Sequence, residues 1–233
     1  MSAMNGEKLK ILAIHGYRQN ADTFRQKTGS FRKIANKFAD FTYITAPHKV
    51  VIPNDVENVD TAQEEDEQFG WFFNREDKSF RGIRTGGPAI GFEESVQLVE
   101  ETFEKLGPFD GILGFSQGAC LVSLLCHLQE EKLLKAKFKF AIMIAGFKSG
   151  SIPHSAYYNK TIAIPSLHVF GENDQIIPSQ MSKDLSKCFL MPAIEMHPGG
   201  HFVPASSSQK ETYQSFLRLH YLVKNCPDIE MNF

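Results

Sequence analysis

The sequence predicts an α/β fold, with a mostly parallel sheet that is covered by helices on both faces. Short apolar segments of strand length alternate along the chain with longer segments of helical periodicity. No hairpin signal separates the first two strands, so a right-handed crossover is expected to connect them. The chain has 233 residues, of which 42% are hydrophobic, and this is sufficient for one large domain that spans residues 1–233.

The first strand and helix are predicted from apolar spacing and from a capping residue. Leu9–Ile14 is a buried strand that ends at a polar loop, and Asn20 is suited to cap the helix that follows. The pair Gly29-Ser30 predicts a kink or a restart in that helix. The second strand, Phe41–Ala46, is closed by Pro47. The apolar residues of the helix lie roughly on one side: Phe24, Phe31, Ile34, Ala35 and Phe38.

Residues 47–88 interrupt the alternation of strands and helices. They contain an acidic run, Glu64–Glu67, and an aromatic cluster, Phe69–Phe73. An irregular insertion of this length inside a compact domain is usually functional or mobile, so we expect it to form a lid or a pocket wall. Helical spacing resumes at Phe92 and is stopped by Gly107-Pro108.

The second half of the chain returns to the alternation. Ile112-Leu113 is a short strand that precedes a long apolar helix. The later elements are a strand at Lys139–Ala145, a loop with a short helix at 145–160, a strand at Ser166–Phe170, a helix at Pro178–Cys188, a strand at Ala193–Met196 and a final helix with Tyr213, Phe216, Leu217 and His220 on one face. Six strands result, and we expect the order 2-1-3-4-5-6 in the sheet.

Composition excludes several classes of partner. A net charge of −2 and the lack of a long basic run argue against nucleic acid or an anionic membrane surface as the main partner. Residues 1–10 are polar, and no later apolar run is long enough to span a membrane, so we expect a cytoplasmic protein, with the nucleus as the alternative location. The four cysteines form no Cys-x-x-Cys pair, and we expect free thiols.

A nucleophile elbow is the most informative motif in the chain. In Gly114-Phe115-Ser116-Gln117-Gly118 a strand precedes the serine and a helix follows it. A serine hydroxyl is a poor nucleophile, so the tight turn must project it toward a base, and small flanking residues permit that conformation. The turn also places the Gln117 N–H at a helix start, where an oxyanion is stabilised.

Polar residues follow four of the predicted strands at their carboxyl ends, which is where sites form in sheets of this kind. They are His15-Gly16-Tyr17, Ser116, Glu172-Asn173-Asp174 and His201. Serine, acid and histidine in this chain order are typical of a hydrolase triad. His201 would act as general base on Ser116, Asp174 would orient the imidazole, and the N–H groups of Tyr17 and Gln117 would bind the oxyanion. This chemistry needs no cofactor.

Two triad positions have a competitor nearby. Glu172 competes with Asp174 for the acid role, and spacing alone does not choose between them. His197 competes with His201 for the base role. The pair His197-x-x-x-His201 also has metal-ligand spacing, but it lies on a Pro-Gly-Gly loop without an intervening Glu, so no metal site is expected.

Three further polar residues receive structural interpretations. His168 lies in the middle of a strand and is expected to be a core histidine. His15 is expected to brace its loop through hydrogen bonds. Asp110 precedes its strand, at the end opposite to the site, and is expected to be a capping or turn residue.

The motifs together have a recognisable pattern. They are Leu12-Ala13-Ile14-His15-Gly16-Tyr17-Arg18-Gln19-Asn20, Gly107-Pro108-Phe109-Asp110-Gly111, Gly114-Phe115-Ser116-Gln117-Gly118-Ala119, Gly171-Glu172-Asn173-Asp174 and His197-Pro198-Gly199-Gly200-His201. These segments resemble the FSH family of serine hydrolases, and within it the ovarian-tumour-suppressor candidate 2 esterases of animals. The resemblance implies an α/β-hydrolase fold and carboxylic-ester hydrolysis. It places Ser116, Asp174 and His201 on the family's triad and favours Asp174 over Glu172.

We therefore expect a serine carboxylesterase that acts on small-molecule acyl esters or thioesters. The predicted acyl chains are apolar and of medium to long length, hydrolysed through an acyl-serine intermediate. Trp71, Phe72 and Phe73 are expected to line or gate the acyl pocket, because the insertion leaves the second strand beside the oxyanion loop. The alternative for these rings is that they anchor the insertion to the core. The alternative function is a hydrolase-fold protein that binds ligands without turnover.

Overall fold

The computed structural model describes residues 6–50 and 67–226. Its main sheet has six strands, and every neighbouring pair within it is parallel. The strands of the described residues are β1 (Leu9–Ile14), β2 (Ala39–Ile44), β3 (His48–Lys49), β4 (Phe69–Gly70), β5 (Gly111–Phe115), β6 (Phe140–Ile144), β7 (Ser166–Gly171) and β8 (Ala193–His197). The main sheet has the order β2-β1-β5-β6-β7-β8. Numbered within that sheet alone, this is the predicted order 2-1-3-4-5-6.

Two strand assignments differ from the prediction. β2 begins and ends two residues before the predicted Phe41–Ala46. The strand ends early because Ala46 donates its N–H to the imidazole Nε2 of His15 at 3.0 Å instead of to a neighbouring strand. The short β3 and β4 form a separate antiparallel pair that apolar spacing does not reveal, since each strand has only two residues.

The helices lie between the strands as predicted. They are α1 (Ala21–Lys27), α2 (Gly29–Ala35), α3 (Phe92–Leu106), α4 (Gln117–Glu130), α5 (Ser179–Ser186) and α6 (Ser207–Asn225), with a 3₁₀ helix at Ile152–Tyr158. Asn20 caps α1, because its Oδ1 accepts the N–H of Thr23 at 2.9 Å. The predicted restart at Gly29 is confirmed, since α2 begins there.

The sheet separates two hydrophobic cores. One core contains the apolar residues of α4 and the rings of Trp71, Phe72 and Phe92. The other contains Phe24 of α1, Phe31 of α2 and the inner face of α6. Both faces of the sheet are therefore covered, as the alternation of elements predicts. α4 is buried almost all round, as a central helix of such a fold should be.

The four cysteines are free, as expected. Cys120, Cys126 and Cys188 are buried, whereas Cys226, directly after α6, is exposed. No helix among the described residues is long and apolar enough to cross a membrane. Of the acidic run Glu64–Glu67, the first three residues lie outside the described residues, and Glu67 pairs with Lys49 at the surface.

Candidate active site

The backbone of the elbow has the conformation that the motif predicts. Ser116 joins β5 to α4 with φ 54° and ψ −115°, a region that non-glycine residues rarely adopt. A Cβ atom on Gly114 would overlap the carbonyl oxygen of Gly118, and one on Gly118 would overlap that of Ile14. Glycine is therefore required on both sides of the serine, and the turn can bring its hydroxyl to the carboxyl edge of the sheet.

Three side chains that follow three different strands meet in one chain of hydrogen bonds. His201 Nε2 lies 2.9 Å from Ser116 Oγ, and His201 Nδ1 lies 2.7 Å from Asp174 Oδ2. The second oxygen of Asp174 accepts the N–H groups of Ile176 and Ile177, both at 2.8 Å. The Asp174 side chain is 1% exposed and that of His201 17%. With Nδ1–H donated to the carboxylate, Nε2 is free to accept the serine proton.

The two competing residues lie elsewhere. Glu172 is exposed, and among the described residues its carboxylate has no hydrogen bond to either His201 or Ser116. His197 is buried at the end of β8, where its Nδ1 accepts the N–H of Gly199 at 3.2 Å. Burial lowers the pKa of His197. The geometry thus favours Asp174 and His201 over the alternatives that spacing left open.

The loop after β1 runs directly beside the serine. A Cβ atom on Gly16 would lie 3.4 Å from the Cβ of Ser116. Gln117 is the first residue of α4, so its N–H has no partner inside the helix. In the described part of the chain the Tyr17 N–H is likewise used by no backbone hydrogen bond. Within the described ranges, two N–H groups without a backbone acceptor therefore lie beside the serine, one in the loop after β1 and one at the start of α4.

His15 braces this loop, as predicted. Its Nδ1 donates to the carbonyl oxygen of Gly16 at 2.7 Å, and its Nε2 accepts the N–H of Ala46 at 3.0 Å. These partners fix the tautomer, since Nε2 must be unprotonated to accept. The ring is fully buried, and burial lowers the pKa of His15 to about 4. The His15 imidazole is therefore neutral in the folded protein near neutral pH.

His168 is a core histidine, as predicted, whereas the Asp110 side chain makes long-range contacts and not the local capping or turn contact that was predicted. His168 is buried within β7, next to Ser166 Oγ at 3.1 Å and edge-on to Phe189, and burial lowers the pKa of His168 to about 3. Asp110 accepts the N–H of Lys10 at 2.8 Å and the ammonium group of Lys224 at 2.9 Å. It joins the start of β1 to the end of α6, at the opposite end of the sheet from Ser116.

A cleft of about 370 Å³ opens beside Ser116 and His201. Most of the remaining lining is apolar or aromatic, and a single guanidinium residue, Arg81, is included. The apolar and aromatic lining residues are Tyr17, Phe80, Ile83, Phe115, Phe147, Ile176 and Ile177. A larger groove of about 830 Å³ lies beside α3 and Gly107-Pro108, at the other end of the sheet, and contains none of these residues.

The structure corrects the prediction that Trp71, Phe72 and Phe73 line the pocket. None of the three lies in the cleft wall, and they are 0%, 0% and 3% exposed. The reason is that the Gln117 side chain binds the backbone of this segment. Its Oε1 accepts Trp71 N–H at 3.0 Å, and its Nε2 donates to Phe72 O at 2.7 Å. The rings therefore point into the core, which was the alternative interpretation.

The wall is formed instead by residues that sequence reasoning missed. Phe80 and Ile83 lie in the same insertion, but within a turn-rich stretch that shows no periodicity. Phe147 follows β6, and the pair Ile176-Ile177 is separated from Asp174 only by Gln175. An apolar pair in the loop that carries a candidate acid at a strand end is a signal that could have identified this wall. No cluster of three His, Cys, Asp or Glu residues in the described ranges is arranged to hold a metal ion.

Comparison with known proteins relates the chain to serine hydrolases. Residues 1–213 match the model of the family described as "Serine hydrolase (FSH1)". The chain is 49% identical over 221 residues to Esterase AGAP003155 of Anopheles gambiae, with 94% of this chain and 81% of that protein covered. It is 46% identical over 225 residues to Esterase OVCA2 of Danio rerio, with 92% and 99% covered.

Solved structures support the fold at much lower identity. SOBER1 of Arabidopsis thaliana superposes with a TM-score of 0.60 at 16% identity, covering 92% of this chain and 99% of that one. Acyl-protein thioesterase 2 of Zea mays gives 0.58 at 15% identity, covering 95% and 97%. With the parallel sheet and the helices on both faces, these neighbours identify the architecture as the α/β-hydrolase fold.

Proposed function

The chain belongs to the FSH1 family of serine hydrolases, and on this premise we propose that Ser116, His201 and Asp174 are the catalytic triad of an esterase that works through an acyl-serine intermediate. The observation that carries the proposal is the unbroken hydrogen-bonded chain from Ser116 Oγ through His201 to Asp174, at 2.9 and 2.7 Å. It lies at the open side of an apolar cleft, where an ester carbonyl could reach the hydroxyl.

In the first half-reaction Ser116 Oγ attacks the carbonyl carbon of the ester, and its proton passes to His201 Nε2. Asp174 stabilises the imidazolium that forms. The carbonyl oxygen becomes an oxyanion that accepts the N–H groups of Tyr17 and Gln117. The intermediate collapses when His201 returns the proton to the alcohol or thiol leaving group. The acyl group then remains on Ser116.

The second half-reaction repeats these steps with water as the nucleophile. His201 accepts a proton from the water as the water attacks the acyl carbon, and the oxyanion again occupies the same two N–H groups. Collapse releases the carboxylic acid, and the proton returns to Ser116 Oγ. A positioned base typically contributes about 10²- to 10⁴-fold, and one oxyanion donor contributes about 10²- to 10³-fold.

We propose apolar acyl groups of medium to long chain length as the substrates. The cleft volume of about 370 Å³ lies within the range of ligand pockets, and Phe80, Phe147 and Ile177 give it apolar walls. Each methylene that leaves water contributes about 0.8 kcal/mol, which corresponds to about fourfold in affinity. The cleft should therefore favour longer acyl chains until its length is filled.

A fluorophosphonate probe and a graded ester panel test this proposal together. The probe should label the protein at Ser116, located by mass spectrometry of the digested adduct. Para-nitrophenyl esters from acetyl to dodecanoyl should show kcat/KM rising with chain length, and a matched thioester series measures the preference for the leaving atom. Labelling at another serine, or turnover without any labelling, would contradict the mechanism. A flat chain-length profile would contradict the assignment of the cleft to the acyl group.

A further inference from the structure

We propose that Trp71 is a positioning residue that fixes the positions of the Tyr17 and Gln117 N–H groups relative to each other. The inference rests on the proposed function, which assigns these two groups to the oxyanion hole. Trp71 is fully buried and does not line the cleft, so it can influence the reaction only through other groups. Its two sets of hydrogen bonds lead to the two halves of that hole.

The indole of Trp71 acts on the Tyr17 half. Its Nε1–H donates to the carbonyl oxygen of His15 at 2.7 Å, and the Trp71 and His15 rings lie 5.0 Å apart between centroids. His15 Nδ1 in turn donates to the carbonyl oxygen of Gly16. That oxygen and the Tyr17 N–H belong to one planar peptide group. The orientation of the Tyr17 donor is therefore set by His15, which Trp71 holds in place.

The backbone of Trp71 acts on the Gln117 half. Its N–H donates to Gln117 Oε1 at 3.0 Å, while Gln117 Nε2 donates to the next carbonyl oxygen, that of Phe72, at 2.7 Å. Gln117 is the residue whose own N–H would bind the oxyanion. Its side chain is fully buried, so this pair of hydrogen bonds is shielded from water. One residue thus makes contact with both donor-bearing segments.

A third contact fixes Trp71 itself. Ser95 Oγ, on α3, donates to the Trp71 carbonyl oxygen. The tryptophan is therefore attached to α3, to the loop after β1 and to the start of α4. Donors that are fixed in advance need no reorganisation when charge develops in the transition state. If Trp71 keeps them fixed, its loss should reduce kcat much more than it raises KM.

The test uses Trp71→Phe, which keeps an aromatic ring and removes the indole donor. We expect kcat on a good ester substrate to fall about 10-fold, with KM within about twofold, since a donor is displaced and not deleted. A trifluoromethyl ketone, which adds Ser116 Oγ and forms a bound oxyanion, should lose affinity by the same factor. The matched control is Tyr213→Phe, which also removes a buried aromatic donor to a backbone carbonyl, that of Pro204 at 3.1 Å, on the other face of the sheet. It should retain both kcat and ketone affinity.

The outcomes separate this inference from the proposed function. Wild-type kcat and ketone affinity in Trp71→Phe would overturn the role of Trp71 alone. Equal losses in Tyr213→Phe would also overturn it, since the effect would then be a general loosening. A wild-type protein that neither hydrolyses esters nor binds the ketone would instead overturn the proposed function.

A measurement on the unmodified protein keeps the inference testable if the variant does not fold. The chain has 1 tryptophan, so its ¹H–¹⁵N spectrum contains a single indole N–H signal. Formation of the ketone adduct should shift that signal, because the indole bond lies behind the oxyanion loop. An unchanged indole signal in the fully formed adduct would overturn the inference.

Discussion

His201 Nε2 lies 2.9 Å from Ser116 Oγ, although 85 positions separate the two residues in the chain. The contact exists because β5 and β8 run parallel and end at the same edge of the sheet, so the loops that follow them face each other. The hydroxyl of the elbow and its base are thus brought together by the topology of the sheet.

Ser116→Ala should abolish ester turnover and fluorophosphonate labelling while leaving the melting temperature nearly unchanged. The substitution deletes one half-buried hydroxyl and opens no cavity in either core. Ser123→Ala, in the helix α4 that follows Ser116, removes a buried hydroxyl that donates to Cys120 O, and it should keep full activity. Turnover of Ser116→Ala at more than a small fraction of the wild-type rate would require another nucleophile.

Asp174→Asn should lower kcat by up to about 10⁴-fold, because a neutral amide can stabilise the wrong imidazole tautomer, as in a well-studied serine protease. Glu172→Gln is the matched control, and the exposed position of Glu172 predicts a change within about twofold. Steady-state kinetics of both variants under the same conditions give the comparison. Equal losses would show that the hydrogen bond from His201 to Asp174 does not govern activity.

The free energy of unfolding should fall as the pH is lowered from about 6.5 to 4. Burial lowers the pKa of His15 to about 4 and that of His168 to about 3, from 6.5 in the unfolded chain. The unfolded chain therefore binds more protons in this range, so stability is fully present above pH 6.5 and is lost on acidification.

Each such histidine should contribute about 1.4 kcal/mol per pH unit to the slope of the free energy of unfolding against pH. Urea unfolding at several pH values measures the slope. His168→Gln should reduce it by the contribution of one histidine, about 1.4 kcal/mol per pH unit. A variant with the wild-type slope would show that His168 does not contribute to it.

Ile83→Ala should reduce kcat/KM for the longest good ester about 5- to 10-fold and leave acetyl ester hydrolysis unchanged, because the substitution removes apolar surface from the mouth of the cleft. Ile83 is 59% exposed, so the cost in stability should be small. Ile152→Ala is the control, since Ile152 is 68% exposed and does not line the cleft. Equal effects of the two substitutions, or a uniform loss at all chain lengths, would place acyl binding elsewhere.

The order of the strands and the residues at their ends could be predicted because both follow from local patterns. Apolar runs of strand length and the glycines of the elbow are visible in the chain itself, and parallel topology then gathers Ser116, Asp174 and His201 at one edge. The choice of Asp174 over Glu172 was different. It depends on a turn in which one carboxylate oxygen accepts two backbone N–H groups, and spacing does not reveal that turn.

The wall of the cleft could not be predicted for a related reason. The cluster around Trp71 and the ring of Phe80 belong to the same insertion, and composition favours the denser cluster as a pocket wall. The direction of the Trp71 cluster depends on the side chain of Gln117, which lies 46 positions from Trp71 in the chain. Such contacts are long-range hydrogen bonds with no periodic signature. Prediction therefore located the insertion beside the site but assigned the wrong rings to the cleft.

The four cysteine thiols differ in burial, so their reactivity can be used to follow local opening of the structure. Cys120 and Cys126 lie within α4 and Cys188 is 8% exposed, whereas Cys226 faces solvent. Burial also raises the pKa of Cys120 and Cys126, so little reactive thiolate forms there in the folded state. A chromogenic disulfide reagent should thus consume one equivalent quickly and three more only as the core is exposed. The rate of the slow phase then reports how often the core around these three thiols becomes accessible to solvent.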